Sequence, residues 1–279
     1  MSKSLLLSLA VLMVAASLAA GGCGTQPVVK KVDHVTIECA DAQALFDVLN
    51  GQLGLPVAWP FSLYPEFATG GVQAGNVNIE TLHYGPPDQG GTAIYGIVLE
   101  PYPLDEIMDE LEARGAQPSK PEVQKREIDG KTVPYWTNVT LKSLCTPDYV
   151  VYLCEYSEIA ASRLASHKVS GPLGGMGVES VKEIDITSTD AAAQQKKWEE
   201  ALAPNKMSSD GVMAIGTGPA VRISQGKADV IASLVLEVTS LSKAKAFLEE
   251  KRLLGKSTAD ELTLDPTKIQ GLDVRVVQK

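Results

Sequence analysis

The chain has 279 residues, 44% apolar and 21% charged, with a formal net charge of -9 and a sequence pI near 5.0. That balance excludes a disordered or collagen-like chain and allows a sizeable core in one or two domains. The acidic charge argues against nucleic acid as a partner, since phosphate-binding faces need excess Lys and Arg, and 5% aromatic content leaves few stacking platforms.

Residues 1–22 read as a signal peptide: Lys3, then an apolar run of about 15 residues, short for spanning a bilayer. The small residues Ala19, Ala20, Gly21 and Gly22 precede Cys23 and resemble the bacterial lipobox, with Ala20 where Leu is usual. This resemblance implies an exported protein, lipid-anchored to the bacterial cell envelope through Cys23, with residues 23–29 as a tether. An ordinary signal peptide with an incidental Cys23 is the alternative, and an uncleaved membrane anchor a third. Cys39, Cys145 and Cys154 have no zinc-type spacing, and Cys39 and Cys154 read as buried strand thiols.

The first unit begins with a strand at 31–39, in which His34, Thr36 and Glu38 alternate with Val35, Ile37 and Cys39. Asp41 is placed to cap a helix at 42–53, and its stripe is Leu45, Leu49 and Leu53. Extended segments follow at 56–60, 67–72 and 76–82. The second unit has a strand at 92–100, a helix at 104–114 closed by Gly115, and strands near 132–141 and 149–155. Residues 158–177, with a Gly-rich stretch at 171–177, read as a linker. The pattern then restarts, with a strand at 181–187 and a helix at 191–202 capped by Asp190. Val98-Leu99-Glu100 with Leu104 is echoed by Val235-Leu236-Glu237 with Leu241, each entering a charged helix that ends at Gly115 or Gly255. The consistent order indicates internal duplication.

Four strand–helix–strand–strand units in tandem resemble the vicinal oxygen chelate superfamily, which includes glyoxalase I and extradiol dioxygenases. The carrying residues are the run from Val32 to Ile37, Leu53-Gly54-Leu55, Phe67-Ala68-Thr69-Gly70-Gly71, and Gly75 to Glu80. The resemblance implies an α+β fold of tandem βαβββ modules forming two curled mixed-sheet domains. The first is 30–157, and the second, degenerate one is 178–279.

In that superfamily a metal is held by His and Glu on the cavity faces of the first and last strands of each unit. His34 and Glu80 match two such positions. Gly96 stands where another His would fall. The last Glu falls at Leu153 by simple count, and Glu155, two residues on, stands in only if the strand is shifted. The implied cofactor is a divalent metal: Zn, Mn, Ni or Fe. In the second domain Glu183 takes the His34 position, Ser224 that of Glu80 and Arg222 that of Asn78, and no metal is expected there. Glu183, Asp185 and Arg222 read as a surface ion pair rather than a buried cluster.

Strand alternation alone gives a polar face of His34, Thr36, Asn78 and Glu80, and without the resemblance His34 with Glu80 reads as a structural hydrogen-bonded pair. His83 faces away, and His167 reads as solvated. Trp59, Phe61, Tyr64 and Phe67 either line a cavity or fill the core. The ligand-pocket candidates are Thr36, Asn78, Trp59 and Phe67. No nucleophile elbow, phosphate loop or dinucleotide fingerprint is present, and no catalytic residue is assigned. The resemblance implies a small-molecule pocket with metal-dependent lyase or dioxygenase-type chemistry on vicinal oxygens, by Lewis-acid polarisation. The rival readings are a metal-free module that sequesters a small ligand and a structural envelope lipoprotein.

Overall fold

The structure, a computed structural model, describes residues 26–85 and 90–279. The signal peptide and Cys23 lie outside the described residues. Among the described residues no helix is long and apolar enough to cross a membrane.

The first unit runs β1 (Val29–Glu38), α1 (Ala42–Asp47), β2 (Val57–Leu63), β3 (Phe67–Gln73) and β4 (Asn78–Tyr84). The Asp41 carboxylate accepts from the Ala44 amide at 2.9 Å and starts α1. The helix continues as a wider π turn at Val48–Gln52 and stops before Gly54, whose φ of 72° only glycine adopts freely. The crossover through α1 sets β4 parallel beside β1, with Thr36 opposite Glu80.

The second unit is β5 (Ala93–Pro101), α2 (Leu104–Ala113), β6 (Glu122–Ile128), β7 (Lys131–Thr140) and β8 (Val150–Tyr156). β5 lies antiparallel to β1 and parallel to β8. The first half therefore has strand order β2-β3-β4-β1-β5-β8-β7-β6.

The segment expected as a linker begins instead with a helix, α3 (Glu158–Ser166), N-capped by Ser157 and packed on β7 and β8. Its C-terminal end is tied to β3. The Gln73 side chain donates to the His167 carbonyl at 2.6 Å and accepts from the Val169 amide at 2.9 Å.

The second half contains β9 (Val178–Ser188), α4 (Ala191–Ala201), β10 (Val212–Met213), β11 (Ala220–Gln225), β12 (Val230–Val238), α5 (Leu241–Lys251), β13 (Leu254–Ser257), β14 (Glu261–Leu264) and β15 (Val274–Gln278). Asp190 caps α4 as Asp41 caps α1. α5 does not run to Gly255. Arg252 takes the left-handed position with φ 57°, and Gly255 falls inside β13.

The halves join in one 15-stranded sheet through Ile94 of β5 opposite Ile231 of β12. Their helix-side faces share one core: Leu45, Leu49 and Ile79 meet Leu234, Leu264 and Leu272. A second tie is the Asn76 amide, which donates to the Val181 carbonyl at 3.0 Å and accepts from the Val181 amide at 2.9 Å. Cys39, Cys145 and Cys154 are free, Cys39 and Cys154 being buried.

Candidate functional site

His34 and Glu80 lie on the neighbouring strands β1 and β4, facing the same side. His34 Nε2 is 3.5 Å from Glu80 Oε2, and His34 Nδ1 is 2.7 Å from Asp33 Oδ2. Asp33 should alternate to the other face. A β-bulge prevents this: Val32 and His34 pair with Leu99 and Val98, so Asp33 is an extra residue and its carboxylate swings beside its neighbour. The Tyr156 hydroxyl donates to the same Asp33 oxygen at 2.8 Å. Both oxygens of Glu80 accept hydroxyls, Oε2 from Thr36 at 2.9 Å and Oε1 from Thr69 at 2.6 Å. The Tyr152 hydroxyl lies 3.4 Å from that of Thr36. Trp59 and Tyr152 stand edge-on to the imidazole with ring centroids 5.8 and 6.3 Å away.

Electrostatics follow from this packing. Burial alone would lower the His34 pKa, but hydrogen bonds to Asp33 and Glu80 and their charges outweigh it and raise it to about 9. Burial likewise opposes charge on Asp33 and Glu80, yet the imidazolium and their hydroxyl partners hold both below the usual carboxylate range. Tyr152 and Tyr156 are pushed well above the ordinary phenol range, burial being the largest cause. Near neutral pH the site is an imidazolium between two carboxylates, walled by neutral aromatic groups.

The other candidates are distributed as follows. Thr36 and Trp59 join the cluster, Asn78 faces His34 from β4, and Phe67 shares its strand face with Thr69, stacked on Tyr64 at 4.7 Å. Phe61 leaves this face because the β2–β3 pairing slips between Trp59 and Ser62. It packs instead on Phe46 of α1 at 5.7 Å. Glu155 is not brought to His34. It lies on the other face of β8 from Tyr152 and Tyr156, and its carboxylate accepts the Leu104 amide at 2.9 Å, capping α2. The residue that β8 sends into the cluster is Tyr152, opposite Val98. Counting along the sequence loses this register because the β6–β7 hairpin and the turn at Lys142–Leu144 make the second unit longer. His83 Nδ1 is 2.7 Å from the Cys39 carbonyl, and His167 is exposed.

In the second half Glu183 does stand where His34 stands, opposite Val235 as His34 is opposite Val98. The partner at the Glu80 position is Arg222, not Ser224: Arg222 faces Asp185 as Glu80 faces Thr36. Arg275 faces Val235 as Tyr152 faces Val98. Arg222 grips Glu183 through two bonds of 2.6 and 2.9 Å, Ser233 donates to Asp185 at 2.7 Å, and Arg275 lies 3.4 Å from Asp185. Glu183 and Asp185 are 7% and 9% exposed, so this is a buried cluster and not a surface pair. Burial and the adjoining Glu183 push the Asp185 carboxyl up. For Glu183 burial acts the same way, but Arg222 overrides it and holds the carboxyl down.

The donor set does not fit a resident metal. Among the described residues no group of three or more His, Cys, Asp or Glu converges on one point. Of the four positions the superfamily resemblance designates, Gly96 has no side chain and Glu155 is elsewhere. His34 and Glu80 spend all four ligating atoms on protein partners.

No family model matches the chain, and no curated protein matches it. Its fold has solved counterparts. A hypothetical protein from Staphylococcus aureus is similar over 89% of this chain and 99% of its own, at TM-score 0.62 and 12% identity. The Mn(II)-bound glyoxalase from Novosphingobium aromaticivorans is similar over 91% and 83%, at TM-score 0.60 and 14% identity. Homoprotocatechuate 2,3-dioxygenase from Arthrobacter globiformis is similar over 92% and 82%, at TM-score 0.58 and 10% identity. The chain therefore has the α+β fold of the vicinal oxygen chelate proteins.

Proposed function

We propose that this protein is a metal-free small-molecule-binding module, exported and held at the cell envelope by lipid on Cys23. The observation that carries the binding reading is the saturation of His34 and Glu80. Thr36 and Thr69 hold both oxygens of Glu80, Glu80 itself faces His34 Nε2, and the side chains that complete a chelate are missing. The solved counterparts include a glyoxalase and a dioxygenase, which supports a small-molecule pocket on the same concave face. Its ligand would lie against the half-buried Trp59 and hydrogen-bond to the half-buried Asn78. The anchor rests on the small residues before Cys23.

Chelator-stripped protein should show no change in melting temperature on adding Mn, Zn, Ni or Fe(II). A metal that binds the native state at a hundredfold excess over Kd stabilises it by about 2.7 kcal/mol, a readily measured shift. A saturable rise abolished by Glu80→Ala would overturn the proposal in favour of metal-dependent chemistry on vicinal oxygens. Cys23→Ser should release the protein from the membrane fraction.

A further inference from the structure

A cleft of about 910 Å³ opens beside the cluster, at the α3 end of the first half. Its size lies in the range of sites for whole small molecules, roughly 300–1,000 Å³. Its roof is α3. Ala161, Leu164 and Ala165 line it from one helical face, and Lys168, just past the helix, continues the line. Within α3 only Ala160 is buried, so the Ala161–Leu164–Ala165 stripe faces the cleft instead of a packed core. The floor adds Ala58, Val77 and Pro101, all buried, the exposed Pro103, and the polar Gln73, Asn76 and Asn78; the prolines bring no backbone N–H to a ligand. Thr217, from the second half, closes one side, where Gly218 lies directly against the β1 backbone at Val32.

The charges at this cleft are unequal in their commitments. Asp33 is held by His34 and Tyr156, and Glu155 caps α2. Lys30 and Lys31 both reach Glu100, at 3.3 and 3.5 Å, so two ammonium groups share a single carboxylate at the lip. Lys168 stands exposed at the far end of α3, while exposed Glu158 lies at its opposite end.

We propose that this cleft binds a free fatty-acid-type carboxylate, its chain under the Ala161–Leu164–Ala165 stripe and its head between Lys30 and Lys31. A carboxylate there balances the second ammonium, and the chain covers the α3 stripe, whose Ala161 and Ala165 are exposed and Leu164 half-buried. The cleft adjoins the His34 cluster through Asp33, Tyr156 and Asn78, but Lys30, Lys31 and the α3 stripe lie outside that cluster, so variants at those positions test this proposal and not the reading of the concave face.

The test is calorimetric titration of the purified protein with dodecanoate below its micellar concentration. Saturable binding is expected, with dodecanol and dodecyltrimethylammonium at least tenfold weaker. The double variant Lys30→Gln/Lys31→Gln should weaken dodecanoate at least fivefold, and Ala161→Phe should abolish binding by filling the space under α3. Arg222→Gln, in the second half's cluster and outside the cleft lining, should leave it unchanged. If Ala161→Phe melts below the parent, Ala165→Leu, a smaller intrusion, replaces it with at least a fivefold loss expected. No saturable binding would overturn the proposal. So would equal binding of dodecanol, undiminished affinity in Lys30→Gln/Lys31→Gln, or binding confined to phospholipid vesicles.

Discussion

The two halves use the same four places on their sheets for opposite chemistry. In the first half they hold His34, Thr36, Glu80 and Tyr152, and in the second Glu183, Asp185, Arg222 and Arg275. The order of charge is reversed, with the cation on the first strand in one half and on the last strand in the other. The first cluster has a titratable cation, aromatic walls and hydroxyl donors. The second is crossed by two guanidinium groups and continues to Glu261, 3.4 Å from Arg275. One backbone arrangement thus supports a buried titratable cluster and a fixed ion-pair chain, and the side chains alone decide which.

The largest test of this contrast removes the last-strand partner in each half. Glu80→Ala strands the Thr36 and Thr69 hydroxyls and leaves the buried imidazolium with Asp33 on one nitrogen only, and should cost about 3 kcal/mol in urea unfolding. Arg222→Ala should cost less, about 1–2 kcal/mol, because Arg222 is a third exposed and Arg275 still faces Asp185. The reverse order would break the comparison.

The pH response separates the halves more finely. The folded His34 pKa is about 9 against 6.5 for the free side chain, so its stabilisation is complete below pH 6.5 and disappears as pH rises through 9. The loss is of the order of 3 kcal/mol. Asp33 and Glu80 have lowered values, so their contribution is present above their unfolded values and fades in acid. Denaturation midpoints should therefore fall between pH 6.5 and 9 in the parent and in Arg222→Ala. In His34→Gln they should stay flat over that window.

The smallest effect concerns the strand beside each cluster. A methyl on Gly96 would sit 3.1 Å from Thr36 Cβ, so Gly96→Ala should lower stability by about 1 kcal/mol. The equivalent Ser233 already fills that place and bonds to Asp185. Ser233→Gly should lose a similar amount by the opposite route, one hydrogen bond lost from an Asp185 carboxyl that keeps Arg275. Thermal denaturation of both variants measures this, and an unchanged Gly96→Ala would show that Thr36 has room to move.

The elements of the repeat were legible because their signals are local: Asp41 and Asp190 ahead of helices, Gly54 after one, and alternation in the strands. β6 was not legible, since Glu122, Gln124, Lys125, Arg126 and Glu127 carry no alternating apolar face. α3 was hidden by the glycines that follow it, although Ser157 before Glu158 is a start signal. In the site, His34, Thr36 and Glu80 could be placed from sequence because β1 and β4 lie close in the chain. Asp33, Tyr152 and Tyr156 were missed. Two polar residues in succession at Asp33-His34, inside an apolar strand, were the available sign of a bulge, and Tyr152 and Tyr156 share one strand face. Arg222 was set two residues out of register because a pairing between strands separated by a helix depends on loop length, which sequence echoes do not measure.

Asn76 has a consequence for the life of the protein in a crowded compartment. β11 begins opposite Glu183, so among the described residues no strand lies beside the outer edge of β9 at Val181. The Asn76 amide supplies the donor and the acceptor that a neighbouring strand would have offered. An edge left open is a template for pairing with another chain and for aggregation. A single side chain from one half of the molecule thus blunts a self-association edge on the other.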